Sequence, residues 1–598
     1  MDALDQRLAQ SAAAACEACF GAHITPEQLQ LQQTRKEFDG DRTLVVFPLT
    51  RHSKLSPEKT GTVLGEWLVG HDELIQAYQV VKGFLNLTIV PAYWTDQLLQ
   101  VHALDSFGIQ KKGSKSKVMV EYSSPNTNKP LHLGHLRNNF LGYSVARILE
   151  AAGHEVIKVQ IINDRGIHIC KSMVAWQKFG NGETPESSGL KGDKLVGKYY
   201  VAFDRAYKEE IAELSAQGVD ANEAKQQAPI LLEAQALLNR WEQGDEQVVN
   251  LWKTMNGWVY DGFGATYKEM GVEFDKLYYE SDTYLLGKDQ VASGLDSGVF
   301  FKKDDGSVWI DLSENGLDEK LLLRKDGTAV YMTQDIGTAI LRYGDFPGLE
   351  RQIYTVGNEQ EYHFKVLFAI LKKLGVEGAE KNHHLSYGMV ELPEGKMKSR
   401  EGTVVDADDL LQEMAGTARD MATELGKIDD LSETEKATLF KQVGYGALKY
   451  FLLKVSPSKS MMFDPKASID FIGNTAPFIQ FNYVRAASML AKCVDAGFNT
   501  DITSIDDTVW DADELRLIQH TLTWPSTVQL AASQYDPSLV ANHVYDLTKA
   551  FSRWYQDHQV LGESDVAVRE ARIALTQCVA HQIKTAMGLL GIEMPKRM

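Results

Sequence analysis

Two histidines near residue 130 stand at a spacing suited to phosphate chemistry. His132 and His135 flank Gly134, and Lys129 precedes them in a segment rich in proline and asparagine. Imidazole and ammonium groups donate hydrogen bonds to phosphate oxygens as charge develops on them, and glycine lets a ligand approach the backbone closely. Two histidines at this spacing without such a context would favour a structural or metal-binding role. The lysine and the turn-forming neighbours instead predict a site for the phosphates of ATP.

A second cationic cluster lies in residues 393–403, where glycines flank Lys396, Lys398 and Arg400. Such a run of charge on its own is typical of a solvated surface loop. Combined with the histidine segment, it predicts a loop whose cations hold a triphosphate during phosphoryl chemistry.

The histidine segment falls between a predicted strand and a predicted helix. Residues 118–122 form a short apolar run, residues 135–150 have helical periodicity, and residues 156–162 form a second apolar run. A strand, a helix and a strand in this order predict a parallel sheet, which places ligands at the carboxyl ends of its strands. The start of the helix would offer unpaired N–H groups to a phosphate.

The rest of the chain predicts a multidomain α/β protein. Residues 1–112 are interpreted as an amino-terminal α/β domain. Residues 113–460 are interpreted as a doubly wound, Rossmann-like domain with a parallel sheet, interrupted by a helical insertion at about 180–265, after which strands reappear at 308–310 and 353–357. Residues 461–598 have helical periodicity throughout and predict an α-helical bundle.

Composition excludes several classes of protein. The chain has 598 residues, of which 44% are hydrophobic and 24% charged, as expected for several globular domains. Its 62 basic and 81 acidic side chains give a net charge of −19, so nucleic acid could bind only through local patches. Neither a leader pattern nor a membrane-length apolar run is evident, and we therefore expect a cytoplasmic protein without a membrane partner.

The five cysteines are too few and too scattered for a disulfide framework. Cys16 and Cys19 have the spacing of half a zinc site or of a redox motif, but they lie in an alanine-rich segment. We interpret them as neighbours on one face of a buried helix, with metal or redox chemistry as the alternative.

Both clusters resemble the two signatures of class I aminoacyl-tRNA synthetases, which are written HIGH and KMSKS. The first signature stands here as residues 132–135 and the second as residues 396–400, with Ser399 in the place of the second family lysine. The longer context resembles the arginyl-tRNA synthetase family. The similar segments are the ExSSPN opening at 121–126, the NDRG sequence at 163–166, and residues 331–336, 478–485 and 589–598.

The resemblance implies ATP-dependent ligation of L-arginine to tRNA(Arg) through an arginyl-adenylate, with release of AMP and pyrophosphate. Magnesium is expected with ATP, without a dedicated protein metal site, and the enzyme is expected to be a monomer. The implied catalytic residues are His132, His135, Lys129, Lys396 and Lys398, and the implied ATP-binding residues are His132, Gly134, His135 and Lys396. The implied arginine-binding residues are Glu121, Asn126, Tyr331, Asp335 and Gln360, and the implied contacts to the tRNA anticodon are Phe481, Tyr483, Arg485, Tyr555 and Met598. By the same resemblance, the amino-terminal domain would contact the tRNA elbow.

Physical reasoning supports part of this assignment and leaves alternatives. A guanidinium is planar with five fixed donors, so two carboxylates at different edges, from Glu121 and Asp335, suit it better than an ammonium. The same acids could merely end a strand or cap a helix. Lys129 is the candidate to replace the missing loop lysine, with Lys398 and Arg400 as rivals, although it could be a solvent-exposed turn residue.

Two other functions fit some of these features. The signatures alone would also suit another class I synthetase or a nucleotidylyltransferase, against which the pair Glu121 and Asp335 argues. A non-catalytic paralogue that binds RNA or senses arginine is the second alternative, against which the intact histidines and lysines argue. Aromatic residues interleaved with bases in 461–598 suit stacking on RNA, but at helical spacing they are equally typical of a core.

Overall fold

The computed structural model describes residues 3–35, 37–104, 106–391, 405–425 and 430–598. Lys396, Lys398 and the rest of the second signature lie outside these residues. Backbone contacts divide the chain into two compact units. The first comprises Met1–Phe107, Ala486–Ser526 and Leu547–Gln582, and the second comprises Gly108–Arg485, Thr527–Asp546 and Ile583–Met598. The predicted division into three domains stays a prediction.

The amino-terminal part of the first unit is α/β, as predicted. Its antiparallel sheet has the strand order β1-β2-β4-β3, with α3 packed on β3. Cys16 is buried on α1 and Cys19 is half-buried on the same helix, and burial, with a smaller effect of Cys19, raises the pKa of the Cys16 thiol to about 11. The elements are α1 (Ala3–Phe20), β1 (Leu31–Gln33), β2 (Arg42–Val45), α2 (Thr50–Ser53), α3 (Pro57–His71), β3 (Ile75–Val81), β4 (Phe84–Ile89) and α4 (Pro91–His102).

The described part of residues 108–470 carries the parallel sheet and the insertion. Its elements are β5 (Lys117–Glu121), α5 (Leu133–Ala151), β6 (Glu155–Ile162), α6 (Ile167–Phe179), α7 (Pro185–Ser188), α8 (Gly192–Ala216), α9 (Ala221–Gln227), α10 (Pro229–Glu242), α11 (Glu246–Met270), β7 (Lys276–Tyr279), α12 (Glu280–Thr283), α13 (Leu286–Asp296), β8 (Phe301–Lys302), β9 (Val308–Ile310), β10 (Lys320–Leu323), α14 (Tyr331–Asp345), β11 (Leu349–Gly357), α15 (Glu361–Lys373), β12 (His383–Tyr387), β13 (Val390–Glu391), α16 (Ala407–Leu425), α17 (Glu433–Leu453), β14 (Met461–Met462) and α18 (Pro465–Ser468).

The central sheet is doubly wound, which confirms the predicted fold class. Its five strands are all parallel in the order β12-β11-β5-β6-β7. The chain enters at the middle strand β5, proceeds to one edge through β6 and β7, and then returns to fill the other side with β11 and β12. The order therefore reverses between β5 and β11, and ligands in sheets of this kind bind at the carboxyl ends of the strands beside that point.

Consecutive buried apolar residues in the middle strand explain why this sheet forms. Val118, Met119 and Val120 of β5 are fully buried, because helices cover both faces of a parallel sheet. On one side, Met119, Val159 and Tyr278 form a small core with Leu349. This core packs β5, β6 and β7 together.

One predicted strand lies in a different sheet, and the two edge strands of the parallel sheet were not predicted. Residues 308–310 do form β9, but β9 pairs antiparallel with β8 and β10 in a separate three-stranded sheet. The strands that complete the parallel sheet at its edges are β7 and β12. The helical insertion is confirmed and consists of α7 to α11.

The carboxyl-terminal region is helical, as predicted. Its elements are α19 (Ala476–Asp495), α20 (Ala512–Leu522), α21 (Trp524–Gln534), α22 (Pro537–Asp557) and α23 (Val566–Leu589). None of the helices in the described part of the chain combines the length and the apolar composition that a bilayer crossing needs.

Candidate active site

The first signature forms the beginning of helix α5, directly after the turn that follows β5. His132 is the residue that caps the helix: its Nδ1 accepts a hydrogen bond from the backbone N–H of Gly134 at 3.2 Å. His135 caps in return, since its Nδ1 accepts from the backbone N–H of His132 at 3.1 Å. The two rings lie 3.9 Å apart between centroids. A side chain at position 134 would meet the His132 ring at 3.0 Å, so glycine there leaves room for the capping histidine.

These capping hydrogen bonds determine which ring nitrogen of each histidine carries the proton. Burial, helped by the charge of Lys129, lowers the pKa of His132 to about 4. Burial, with smaller effects of His132 and Lys129, holds the pKa of His135 well below its usual range. Both rings are therefore neutral near pH 7, and because each Nδ1 accepts, each proton is on Nε2. The start of α5 thus presents two neutral N–H donors beside the half-buried Lys129.

The turn between β5 and α5 is held in an uncommon backbone conformation. Ser123 has a φ of 62°, which side-chain-bearing residues adopt rarely. Asn138 of α5 holds it there, since its Oδ1 accepts the Ser123 N–H at 2.6 Å, and Asn139 donates to the Ser123 hydroxyl at 3.2 Å. The helix that carries the histidines therefore also fixes the turn that precedes them.

A segment after the second signature pairs with the first. The Leu133 N–H donates to the Val405 carbonyl at 3.2 Å, and the Ala407 N–H donates to the Leu131 carbonyl at 2.9 Å. His132 and Asp406 face each other in this short antiparallel bridge. Residues 392–404 lie outside the described residues. The residues that directly follow them, Val405 to Ala407, lie beside the first signature.

The predicted pocket acids lie on β5 and α14. Tyr331, Asp335 and Arg342 occupy one face of α14, because their spacings of four and seven residues follow the helical repeat. Glu121 ends β5 and forms an ion pair with Arg342, which is almost fully buried. Burial alone would lower the pKa of Arg342, but the Glu121 carboxylate keeps it above its usual value. The buried Arg342 guanidinium was not predicted from the sequence.

Asp335 is the more accessible of the two acids, with a side chain 41% exposed. Its Oδ2 lies 2.6 Å from Nε2 of His363 on α15. Glu121 and Asp335 both act on the buried Tyr354 phenol. Burial raises the pKa of this phenol most, Arg342 lowers it, and the negative charges of Glu121 and Asp335 add smaller increases. Asp335 lies within α14 and does not cap it, whereas Glu121 does end β5 and is ion-paired there.

The remaining candidates for the amino-acid pocket are exposed residues near the same edge of the sheet. Tyr331 is 79% exposed and begins α14. Asn126 is exposed and its backbone bridges to Asn163 after β6. Gln360 is exposed in the turn between β11 and α15. Their roles as arginine ligands stay predictions.

Glu280 is a candidate that the sequence analysis missed. It follows the last residue of β7 and is half-buried at the carboxyl edge of the sheet. Burial raises its pKa to about 7, Arg165 opposes this, and the negative charges of Asp164 and Asp335 add to it. Arg165 itself is paired with Glu242 at 2.8 Å. The sequence feature that could have identified Glu280 is its position directly after the apolar run 277–279.

The predicted anticodon contacts fall in both units. Phe481, Tyr483 and Arg485 are half-buried on α19, and the Arg485 guanidinium lies 5.1 Å from the centroid of the Phe481 ring. Tyr555 is half-buried on α22, and Met598 is half-buried at the end of the described chain. Nothing in the structure tests their contact with RNA.

One group of acids and a histidine is compact enough for a metal within the described ranges: Asp511, Glu514 and His558. Its donor atoms are already engaged. His558 Nε2 lies 2.7 Å from Asp511, and Glu514 accepts from Arg572 at 2.7 Å. The group therefore serves as a side-chain clamp of the first unit.

The comparisons with known proteins agree with the geometry of the site. Residues 97–464 match the family model described as "tRNA synthetases class I (R), catalytic domain", and residues 479–598 match "DALR anticodon binding domain". With the doubly wound sheet and the histidine-capped helix at its switch point, these matches define a class I aminoacyl-tRNA synthetase.

The particular family follows from full-length relatives. The chain is 57% identical to an arginine–tRNA ligase of Flavobacterium psychrophilum, covering 96% of this chain and 97% of that one, and 54% identical to one of Porphyromonas gingivalis, covering 99% of each. The solved arginyl-tRNA synthetase of Thermus thermophilus matches all of both chains with a TM-score of 0.78 and 25% identity. The chain belongs to the arginyl-tRNA synthetase family. It is an enzyme that uses ATP to join arginine to tRNA(Arg).

Proposed function

We propose that the start of α5 binds the triphosphate of ATP through Nε2–H of His132 and His135 and the ammonium of Lys129, while Gly134, whose own N–H is held by the His132 cap, lets the phosphates approach the backbone. The capping geometry carries this proposal, because both Nδ1 atoms are occupied and the Nε2–H donors remain to face a ligand. Neutral imidazoles donate without competing for a proton, since their pKa values lie below the working range. The helix dipole adds positive potential at the same place.

In the amino-acid pocket, we assign the substrate guanidinium to Asp335 and Glu280. The charge of Glu121 is already compensated by Arg342, whereas Asp335 is 41% exposed and Glu280 is half-buried at the carboxyl edge of the sheet. Two carboxylates at different edges of a guanidinium favour arginine over lysine. Glu121 would then shape the end of β5, within reach of the substrate backbone.

Three exposed residues complete the proposed pocket. Asn126 and Gln360 would hold the amino and carboxylate groups of arginine, and Tyr331 would cover its side chain from α14. Their positions after β5, after β11 and at the start of α14 place them around the switch point of the sheet. Each of them could close on the substrate without displacing a buried group.

The reaction requires positioning and charge stabilisation instead of a nucleophile from the enzyme. The carboxylate of arginine attacks the α-phosphorus of ATP, the bond to the bridging oxygen breaks, and pyrophosphate leaves. A hydroxyl of the terminal tRNA adenosine then attacks the carbonyl of arginyl-adenylate, and AMP leaves. The imidazole N–H groups and the ammonium stabilise the charge that develops on the phosphates.

Magnesium is expected to bind with ATP, without a dedicated protein site. The groups at the start of α5 are N–H donors, which suit phosphate oxygens but cannot ligate a cation, so the phosphate oxygens themselves would hold Mg²⁺. When bound, it would neutralise phosphate charge.

We further propose that Lys396 and Lys398 contact the phosphates from the second signature. Residues 461–598 would bind the anticodon through Phe481, Tyr483, Arg485, Tyr555 and Met598, and residues 1–112 would contact the tRNA elbow. A monomer in the cytoplasm is the expected form.

The test of the phosphate site is Lys129→Ala, assayed by arginylation of total tRNA. We expect kcat to fall about a hundredfold or more, the scale of removing one charge-stabilising donor, with little change in the KM for arginine. Because Ser399 stands where the family has a lysine, Ser399→Lys in that background should recover part of the rate. Near-parental activity of Lys129→Ala would contradict the proposal, as would absence of rescue combined with a crippled Lys398→Ala.

A further inference from the structure

Helix α8 of the insertion packs directly on the turn that carries Lys129. The contact is made at Gly197, which is buried. A Cβ atom at this position would lie 2.8 Å from Cδ of Pro130 and 3.7 Å from Cα of Lys129. The first of these distances is shorter than the packing of real side chains permits. Glycine is usually unfavourable inside a helix. At position 197 it allows α8 to approach Pro130 more closely than any residue with a side chain would.

On its other sides, α8 is held too tightly to move away. Gly192 lies so close to α11 that a Cβ there would meet the Trp258 carbonyl oxygen at 2.0 Å. Lys191, which precedes the helix, donates to Thr266 of α11 at 2.5 Å and is ion-paired with Asp408 of α16.

A second lysine adds to this attachment. Lys194 Nζ lies 2.7 Å from Oδ1 of Asp409 on α16 and 3.3 Å from Oδ1 of Asp406, the residue that faces His132. Contacts to α11 and α16 thus fix α8 from two directions. The turn around Pro130 is the side that must yield if α8 gains volume.

We propose that Gly197 is a positioning residue for the adenylation step: its missing side chain sets the place of the Lys129–Pro130 turn and hence of the Lys129 ammonium beside the two imidazoles. The inference rests on the proposed role of Lys129. Through this contact, the insertion determines the geometry of the phosphate site without touching ATP. A displacement of about 1 Å at a reacting group can cost a hundredfold in rate.

The variant Gly197→Ala tests this contact. A merely structural role predicts a lower melting temperature with unchanged catalysis, because the added methyl group would overpack a buried contact. We expect instead a fall in arginylation kcat of about tenfold or more and a KM for arginine within twofold of the parent, both measured at a temperature where the variant stays folded. Gly257→Ala on α11 is the matched control, because its Cβ would meet nothing within 4 Å.

Two double variants show whether the effect passes through the turn. Pro130→Ala removes the ring atom that the new methyl group would strike, so Gly197→Ala should cost little when added to Pro130→Ala. In the Lys129→Ala background, Gly197→Ala should likewise add almost nothing, since the group it displaces is gone. Independent effects would instead multiply.

The outcomes separate this inference from the proposal it rests on. A parental kcat in Gly197→Ala beside a crippled Lys129→Ala overturns the positioning role and leaves the role of Lys129 intact. Near-parental Lys129→Ala removes the proposed role of that lysine directly. A loss in Gly197→Ala that persists in full in both double variants also overturns the inference, because the effect would then bypass the turn.

Discussion

The raised pKa of Glu280 leads to a quantitative prediction about arginine binding. Only the ionised carboxylate can pair with a guanidinium, and the substrate guanidinium stays charged at all relevant pH values. With a pKa of about 7, about a tenth of the enzyme has this carboxylate ionised at pH 6 and about nine tenths at pH 8. The KM for arginine should therefore fall about tenfold from pH 6 to pH 8. His132 should contribute nothing to this change, because its pKa lies near 4.

The assay is arginylation at saturating ATP and tRNA across that range, in the parent and in Glu280→Gln. The glutamine variant should bind arginine weakly at every pH and lose the slope. Asp282→Asn, an exposed acid of the same short helix α12, should keep the slope. Because the folded state holds the proton more tightly than the unfolded chain does, ionisation of Glu280 costs stability as pH rises from about 4.5 to about 7. Glu280→Gln should consequently melt higher than the parent at pH 8. A flat parental profile, or a slope that survives in Glu280→Gln, would remove Glu280 from the pocket.

Three further predictions follow from the same pocket and from the helical region. Asp335→Asn should raise the KM for arginine roughly tenfold to a hundredfold, since a charge-assisted hydrogen bond contributes about 1.5 to 3 kcal/mol, with the KM for ATP nearly constant; unchanged discrimination against citrulline would argue against it. Arg342→Met should cost about 3 to 5 kcal/mol in urea unfolding because it strands the Glu121 carboxylate, whereas adding Glu121→Gln should restore most of that loss; equal losses in both variants would show that the charge pair does not matter. The affinity for tRNA should fall with added salt despite the net charge of −19, and Arg485→Ala should reduce the slope by about one in a logarithmic plot; an identical slope would place Arg485 away from the phosphates.

The parts of the fold that the sequence predicted are those with strong local patterns. Strand β5 contains the continuous apolar run 118–120, and β6 is apolar except at Glu155, Lys158 and Gln160, because helices cover both faces of the sheet. The strands β7 and β12 lie at the edges of the sheet. Strand β7 has four residues, and β12 contains His383, His384 and Ser386, so the same criterion misses them. The strand at 308–310 was recognised, but sequence pattern gives no information about which strand it pairs with.

The same distinction holds for the site. Residues 129–135 are contiguous and form the end of the turn and the start of the helix that the sequence predicts, so they could be found by reading along the chain. The ion pair of Glu121 with Arg342 depends on the packing of α14 against β5, which no local pattern encodes. Glu280 was missed because the strand that precedes it was missed. The close packing of Gly197 on Pro130 is visible only in three dimensions.

The ion pair between β5 and α14 also sets an order of events during synthesis. Arg342 is made about 220 residues after Glu121, which at ribosomal rates of 5 to 20 residues per second is a delay of roughly ten to forty seconds. Until Arg342 has been synthesised, the strand that ends at Glu121 can enter the sheet only by burying an unpaired carboxylate. We therefore expect the first half of the catalytic unit to stay loosely packed while it is being synthesised. Formation of the ion pair with Arg342 then stabilises the native packing of both halves.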